Sequence, residues 1–110
     1  SITLLIERAR PVRHLGQFQE PVFFFVPQGT RRLQFYWEGG RLKPRLFDPA
    51  GRQVAEITAN GEYVSIDIPA GMDGQSWHFR HFAPKQFWMV NAPNHLAASP
   101  SALIIPRDAG

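Results

Sequence analysis

The chain has 110 residues, enough for one domain with a genuine apolar core and no need of disulfides or metal. It contains no cysteine, which excludes disulfide scaffolds, thiol nucleophiles and cysteine-based zinc sites. Twelve Lys and Arg against nine Asp and Glu give a charge of +3, and the cations are scattered without a long basic run, which argues against nucleic acid as a partner.

Ten Pro and nine Gly imply frequent turns and many short strands. No apolar run is long enough for a membrane-spanning helix, and no signal-peptide pattern opens the chain. The chain begins at Ser1, as expected of a module cut from a longer protein.

Residues Ile2 to Ala9 alternate as a half-buried strand, with Ile2, Leu4 and Ile6 on one face. Arg10 to Gly16, with His14, reads as a polar connector. Val22 to Trp37 is the aromatic centre of the chain, two apolar strands on either side of the turn Pro27-Gln28-Gly29-Thr30. In the first strand, Val22, Phe24 and Val26 point one way and Phe23 and Phe25 the other. Such a strand lies centrally or under another segment, for which the N-terminal strand is the candidate. In the second, Leu33, Phe35 and Trp37 face the core, while Gln34, Tyr36 and Glu38 face out.

After Gly39-Gly40, Lys43 to Phe47 places Leu46 inward and Arg45 outward. Asp48-Pro49-Ala50-Gly51 has Asp, Pro and Gly at the positions a type I turn favours, with Gln53 to Thr58 as the returning strand. Asn60-Gly61 is the strongest two-residue hairpin signal. Tyr63 to Ile68 turns Val64, Ile66 and Ile68 inward and Tyr63, Ser65 and Asp67 outward. Pro69 to Gly74 is a loop. Ser76 to Phe82 follows, with Trp77 and Phe79 inward and His78 and Arg80 outward.

In Gln86 to Val90 the phase is open: either Phe87 and Met89 or Trp88 and Val90 turn inward. Asn91 to Pro100 is irregular with room for one helical turn, and Leu103 to Ile105 is a short last strand before Pro106. Turn signals recur at the spacing of a sandwich or barrel. The expected fold is all-β: an antiparallel, jelly-roll-like β-sandwich of eight or nine short strands, with residues 1–110 forming one module.

No catalytic constellation is visible. Gly74-Gln75-Ser76-Trp77-His78 lacks the second glycine of a nucleophile elbow and enters a strand. His78 and His81, three apart in a strand, point to opposite faces and cannot share a metal. Asp48, Asp67 and Asp73 lie in or near loops and are weak candidates for a structural calcium site, without EF-hand spacing. No other cofactor is expected. The chain reads as a non-enzyme.

Alternation gives an outward set of Tyr36, Arg45, Tyr63, His78 and Arg80, joined by Trp88 if Met89 turns inward. Flat aromatics mixed with planar hydrogen-bonding groups suit sugars, whose C–H patches stack on rings while their hydroxyls take bidentate bonds. Ten of the twelve cations are Arg, which suits an acidic glycan.

Phe24 to Thr30 (FFVPQGT), Leu46 to Val54 (LFDPAGRQV) and Ala70 to Phe79 (AGMDGQSWHF) resemble segments of the β-sandwich accessory modules of secreted bacterial enzymes. These include the pre-peptidase C-terminal type and the carbohydrate-binding-module-like domains appended to glycosidases. The resemblance implies a non-catalytic module, secreted or periplasmic or at the cell surface, joined covalently to a catalytic domain and associated with a polysaccharide or oligosaccharide. A structural domain that packs on its neighbour and binds no sugar is the alternative. The Asp-rich strand motif usual in the pre-peptidase type is not evident, and the resemblance carries over no binding residue.

Overall fold

A computed structural model of the chain describes residues 3–5, 21–40 and 42–97. They form nine strands and no helix: β1 (Thr3–Leu5), β2 (Val22–Val26), β3 (Arg32–Glu38), β4 (Arg45–Phe47), β5 (Gln53–Glu56), β6 (Glu62–Asp67), β7 (Gln75–Arg80), β8 (Gln86–Met89) and β9 (His95–Ala97). Every pairing is antiparallel. A six-stranded sheet runs β1-β9-β2-β7-β4-β5 and a three-stranded sheet runs β6-β3-β8. The two stack into the expected β-sandwich. The candidate strand Leu103 to Ile105 and the connector holding His14 lie outside the described residues.

The core is an aromatic layer between the sheets. Leu33, Phe35 and Trp37 of β3 meet Phe24 of β2 and Trp77 and Phe79 of β7, all essentially without solvent exposure. Phe79 is its hub: it stacks on Phe24 at 5.1 Å, meets Phe35 edge-on at 5.5 Å and touches Phe82 at 5.4 Å. Edge-to-face packing places the positive rim of one ring on the negative face of another, beyond the area each buries. The Trp77 indole donates to the Met72 carbonyl at 2.8 Å, so the ring is buried without an orphaned donor.

From β2 to β9, successive strands lie in opposite sheets except at β4–β5. The aromatic centre Val22 to Trp37 is therefore split. β2 lies inside the larger sheet, β3 is the middle of the smaller one, and the turn between them carries the chain across the core. Thr30 N–H donates to the Pro27 carbonyl in that turn, at 3.1 Å.

The Asn60-Gly61 hairpin is corrected in the same way, because β5 and β6 belong to different sheets. The Asn60 side chain accepts from Gly39 N–H at 3.1 Å, and Gly61 donates to the Trp37 carbonyl at 2.8 Å with its φ at +72°. The dipeptide thus starts the β3–β6 ladder as a crossover. A hairpin of the expected kind forms at β4–β5, where Gly51 N–H donates to Asp48 C=O at 2.9 Å.

Two departures from strict alternation follow from local backbone. The β4–β5 register shifts after Leu46, a bulge that leaves Val54 without a paired residue and exposed. β7 ends at Arg80, and His81 takes a left-handed conformation with φ 59°. Continued alternation would bury His81 and expose Phe82. The kink instead leaves His81 exposed and drives Phe82 into the core against Trp37 and Phe87. The expectation that His78 and His81 occupy opposite faces of one strand is overturned by the same kink.

The open phase of β8 resolves with Phe87 and Met89 buried and Trp88 outward. The helical turn expected within Asn91 to Pro100 is replaced, over its described part, by β9, with His95 opening that strand. Phe25 shares the outer face of β2 with Phe23 yet is buried. The described part of the N-terminal strand, β1, pairs with β9 in the larger sheet, separated from β2 by β9 and in the same layer, not over it.

Candidate functional site

The six outward residues do not share one face. Tyr36, Tyr63 and Trp88 lie on the outer face of the three-stranded sheet, while Arg45, His78 and Arg80 lie on the outer face of the six-stranded sheet, across the core. The single surface expected from alternation is thus two.

On the smaller sheet, Tyr36 is the register partner of both Tyr63 on β6 and Trp88 on β8, so the three rings form one row across all three strands. Tyr36 and Trp88 stack nearly parallel, with centroids 4.1 Å apart and planes 12° apart. Tyr63 stands at 67° to Tyr36 and 77° to Trp88 and is 63% exposed, so a ring face remains open to solvent. Among the described residues no strand lies beyond Trp88, where β8 is the end of the sheet.

Polar residues flank the row. Gln34 donates to the Ser65 hydroxyl at 3.4 Å on one side, and Glu38 faces Gln86 on the other. The Tyr36 hydroxyl donates to Glu38 Oε1 at 3.3 Å. Desolvation first, then the Glu38 charge and its hydrogen bond, hold the Tyr36 phenol above its ordinary range. It therefore remains a neutral donor.

On the larger sheet, Arg45 and Phe47 of β4 oppose Arg80 and His78 of β7, a two-by-two array of planar groups. Phe47 and His78 stack with centroids 4.8 Å apart and planes 3° apart, Phe23 leans on His78 at 5.0 Å, and the Arg80 guanidinium lies 5.8 Å from the Phe47 ring centre. Burial, then the Arg80 charge, lower the His78 pKa against a smaller opposing pull from Asp48, so its imidazole is neutral near pH 7. Phe47 and Phe23 were not among the expected site residues. The register opposite His78 is the feature that brings them in, and it exists only once the sheet is formed.

The three calcium candidates are engaged separately. Asp48, 1% exposed, accepts from Ala50 N–H at 2.9 Å, Arg52 N–H at 3.0 Å and Arg52 Nε at 3.2 Å. Burial pushes its carboxyl pKa up, but these bonds and the Arg52 charge together pull it below the ordinary value. Asp67 pairs with Arg32 at 3.5 Å on the surface, and Asp73 accepts from Gly29 N–H at 2.6 Å, tying the β6–β7 loop to the β2–β3 turn. Among the described residues no three His, Asp or Glu side chains gather as a metal site. Ser76 sits within β7 opposite Phe25, in a strand and not at a strand-to-helix turn. Comparison with family models, with curated proteins and with solved structures finds no match to this chain.

Proposed function

We propose that this domain is a non-catalytic accessory module that binds a polysaccharide through the outer face of its three-stranded sheet. It would serve a covalently attached, secreted glycoside-active enzyme. The observation that carries the reading is the row Tyr63–Tyr36–Trp88, flanked by Gln34 and Ser65 on one side and Glu38 and Gln86 on the other. Three strands at sheet spacing make the row roughly 10 Å wide, an apolar strip in which Tyr63 stands at 67° to Tyr36, with hydrogen-bonding groups at its margins. The Tyr63 ring face accepts the C–H patch of a sugar, and the flanking amides and carboxylate take its hydroxyls. Holding an enzyme on its substrate in this way raises local concentration without new chemistry.

Retention on immobilised polysaccharides tests the reading. Tyr63→Ala and Trp88→Ala each remove a ring worth about 1 kcal/mol, which weakens binding about fivefold per residue. Unchanged retention of both variants refutes this face as the site.

The alternative, a packing domain with no ligand, is favoured by one observation. Among the described residues β5 and β6 end their sheets, and an open groove of about 260 Å³ there is lined by Ala55, Ile57, Val64 and Ile66. The inward residues Val64 and Ile66 are only half-buried there. Deleting the domain separates the two readings. Loss of a packing domain destabilises the attached enzyme and lowers activity on soluble substrates. Loss of a binding module lowers activity mainly on insoluble ones.

A further inference from the structure

We propose that the outer face of the six-stranded sheet carries an oxyanion site between the Arg45 and Arg80 guanidinium groups, for the carboxylate or sulfate of an acidic sugar residue. It rests on the polysaccharide reading only for the identity of the ligand, and it lies on the sheet opposite the aromatic row.

Arg45 and Arg80 are direct register partners on adjacent strands. Opposed residues in an antiparallel ladder have Cβ atoms about 5 Å apart, and like charges placed there are destabilising. One of the two charges is compensated. Glu56, the partner of Arg45 on β5, approaches it at 3.9 Å, a long contact between groups about half exposed. Arg80 has no carboxylate partner among the described residues and rests on the Phe47 ring. Asp48, at the end of β4, cannot serve, since both its oxygens are taken inside its own turn. The row Arg80–Arg45–Glu56 therefore keeps a net positive charge, with exposed guanidinium groups on adjacent strands.

A planar fork of N–H donors matches the two or three oxygens of a carboxylate or sulfate, and a second fork beside it raises both affinity and orientation. The next row supplies the complement. The Phe47–His78 stack stands one step along the strands and presents an apolar rim, against which the ring of the acidic sugar can pack. The imidazole adds hydrogen bonding there, while the ligand's charge is met by the arginines. An oxyanion seated between them relieves the repulsion that the fold itself leaves in place.

Nuclear magnetic resonance of the arginine Nε–H groups tests the site, with an oligogalacturonate, sodium sulfate and a neutral cello-oligosaccharide as probes. At low salt the oligogalacturonate shifts the Arg45 and Arg80 signals. Arg80→Gln and Arg45→Gln each weaken its binding by about tenfold, the loss expected for one charge-assisted fork. Arg80→Lys, which keeps the charge and loses the fork, lies between. Arg32→Gln, on the opposite sheet, controls for net charge and leaves binding unchanged.

The proposal is overturned if the Gln variants at 45 and 80 bind as the parent does, or if Arg32→Gln loses as much. It is also overturned if the neutral sugar shifts the same signals, or if sulfate does so while the oligogalacturonate binds no tighter, which is the signature of an adventitious ion only. Should Tyr63→Ala and Trp88→Ala leave polysaccharide retention intact while the Arg shifts persist, the aromatic-row reading fails and this site stands.

Discussion

Replacing Asp48 probes the one fully buried charge among the described residues, and its cost can be worked from the geometry. Asp48→Ala removes the acceptor from two backbone amides, those of Ala50 and Arg52, and the partner from the Arg52 guanidinium. Each amide left without its charge-assisted bond costs about 1 kcal/mol, since both residues sit at the surface and water recovers part of the loss. The Arg52 contact adds at most about 0.5 kcal/mol, because its side chain is 69% exposed and screened. The sum is about 2–3 kcal/mol, a fall in Tm of about 10 °C for a domain of this size.

Asp48→Asn keeps the shape and the Oδ1 acceptor and loses the charge, so about 1–2 kcal/mol is expected. Arg52→Gln alone should cost less than about 1 kcal/mol. The sign with pH follows from the lowered carboxyl pKa. The Asp48 contribution is complete above the unfolded-chain value near pH 4 and is lost as pH falls through the lower folded value. Urea denaturation at a series of pH values reads this directly. The gap between parent and Asp48→Asn should be constant at neutral pH and close progressively in acid. A gap that is absent at pH 7, or that does not narrow in acid, refutes the assignment of Asp48 as an ionised clamp on its turn.

Other perturbations test the core and the two faces. Phe79→Ala empties the hub of the aromatic layer and should cost about 3–5 kcal/mol, read as a lower urea midpoint by near-ultraviolet circular dichroism. A Cβ at Gly40 would sit 2.5 Å from the Ala83 carbonyl oxygen, so Gly40→Ala should lower the unfolding free energy measured by urea denaturation by about 1–3 kcal/mol. At Gly39 the nearest atom is 3.6 Å away, and Gly39→Ala should cost less than about 1 kcal/mol. His78 has its pKa lowered in the fold, so the unfolded chain takes up a proton first as pH falls through about 6.5, and stability declines. His78→Phe removes that group, and its stability should fall less than the parent's between about pH 7.5 and 5.5. An equal fall would show that His78 is not depressed.

Much of the sandwich was legible in the residue pattern, because a strand's side chains alternate with a period of two whatever its neighbours are. That alone places Leu33, Phe35 and Trp37, Leu46, and Trp77 and Phe79 inward, and Tyr36, Arg45, Tyr63, His78 and Arg80 outward. The Asp48-Pro49-Ala50-Gly51 turn was legible for a similar reason, since its geometry is set by the four residues themselves and holds a hairpin in place.

Sheet membership was not legible. Alternation reports a side and never a partner, so the adjacent strands β2 and β3 could not be assigned to different sheets. Asn60-Gly61 has the backbone freedom for a hairpin or for a crossover, and the bonds to Gly39 and Trp37 decide for the latter. In Gln86 to Val90 both phases are apolar. Only the fit of Phe87 beside Phe35 and Phe82, with Trp88 against Tyr36, selects one. The left-handed backbone at His81 exchanges it with Phe82, a swap no periodicity foretells.

The sequence by itself therefore determined an all-β chain, its turns and the inward or outward sense of most side chains, since these depend on local backbone geometry. The tertiary structure decided which outward residues meet. It placed Tyr63, Tyr36 and Trp88 in one row, and Arg80, Arg45, His78 and Phe47 in an array on the opposite face. Cross-strand register is set by how two apolar faces close on each other, and it couples residues too far apart in the chain for any local pattern to relate them.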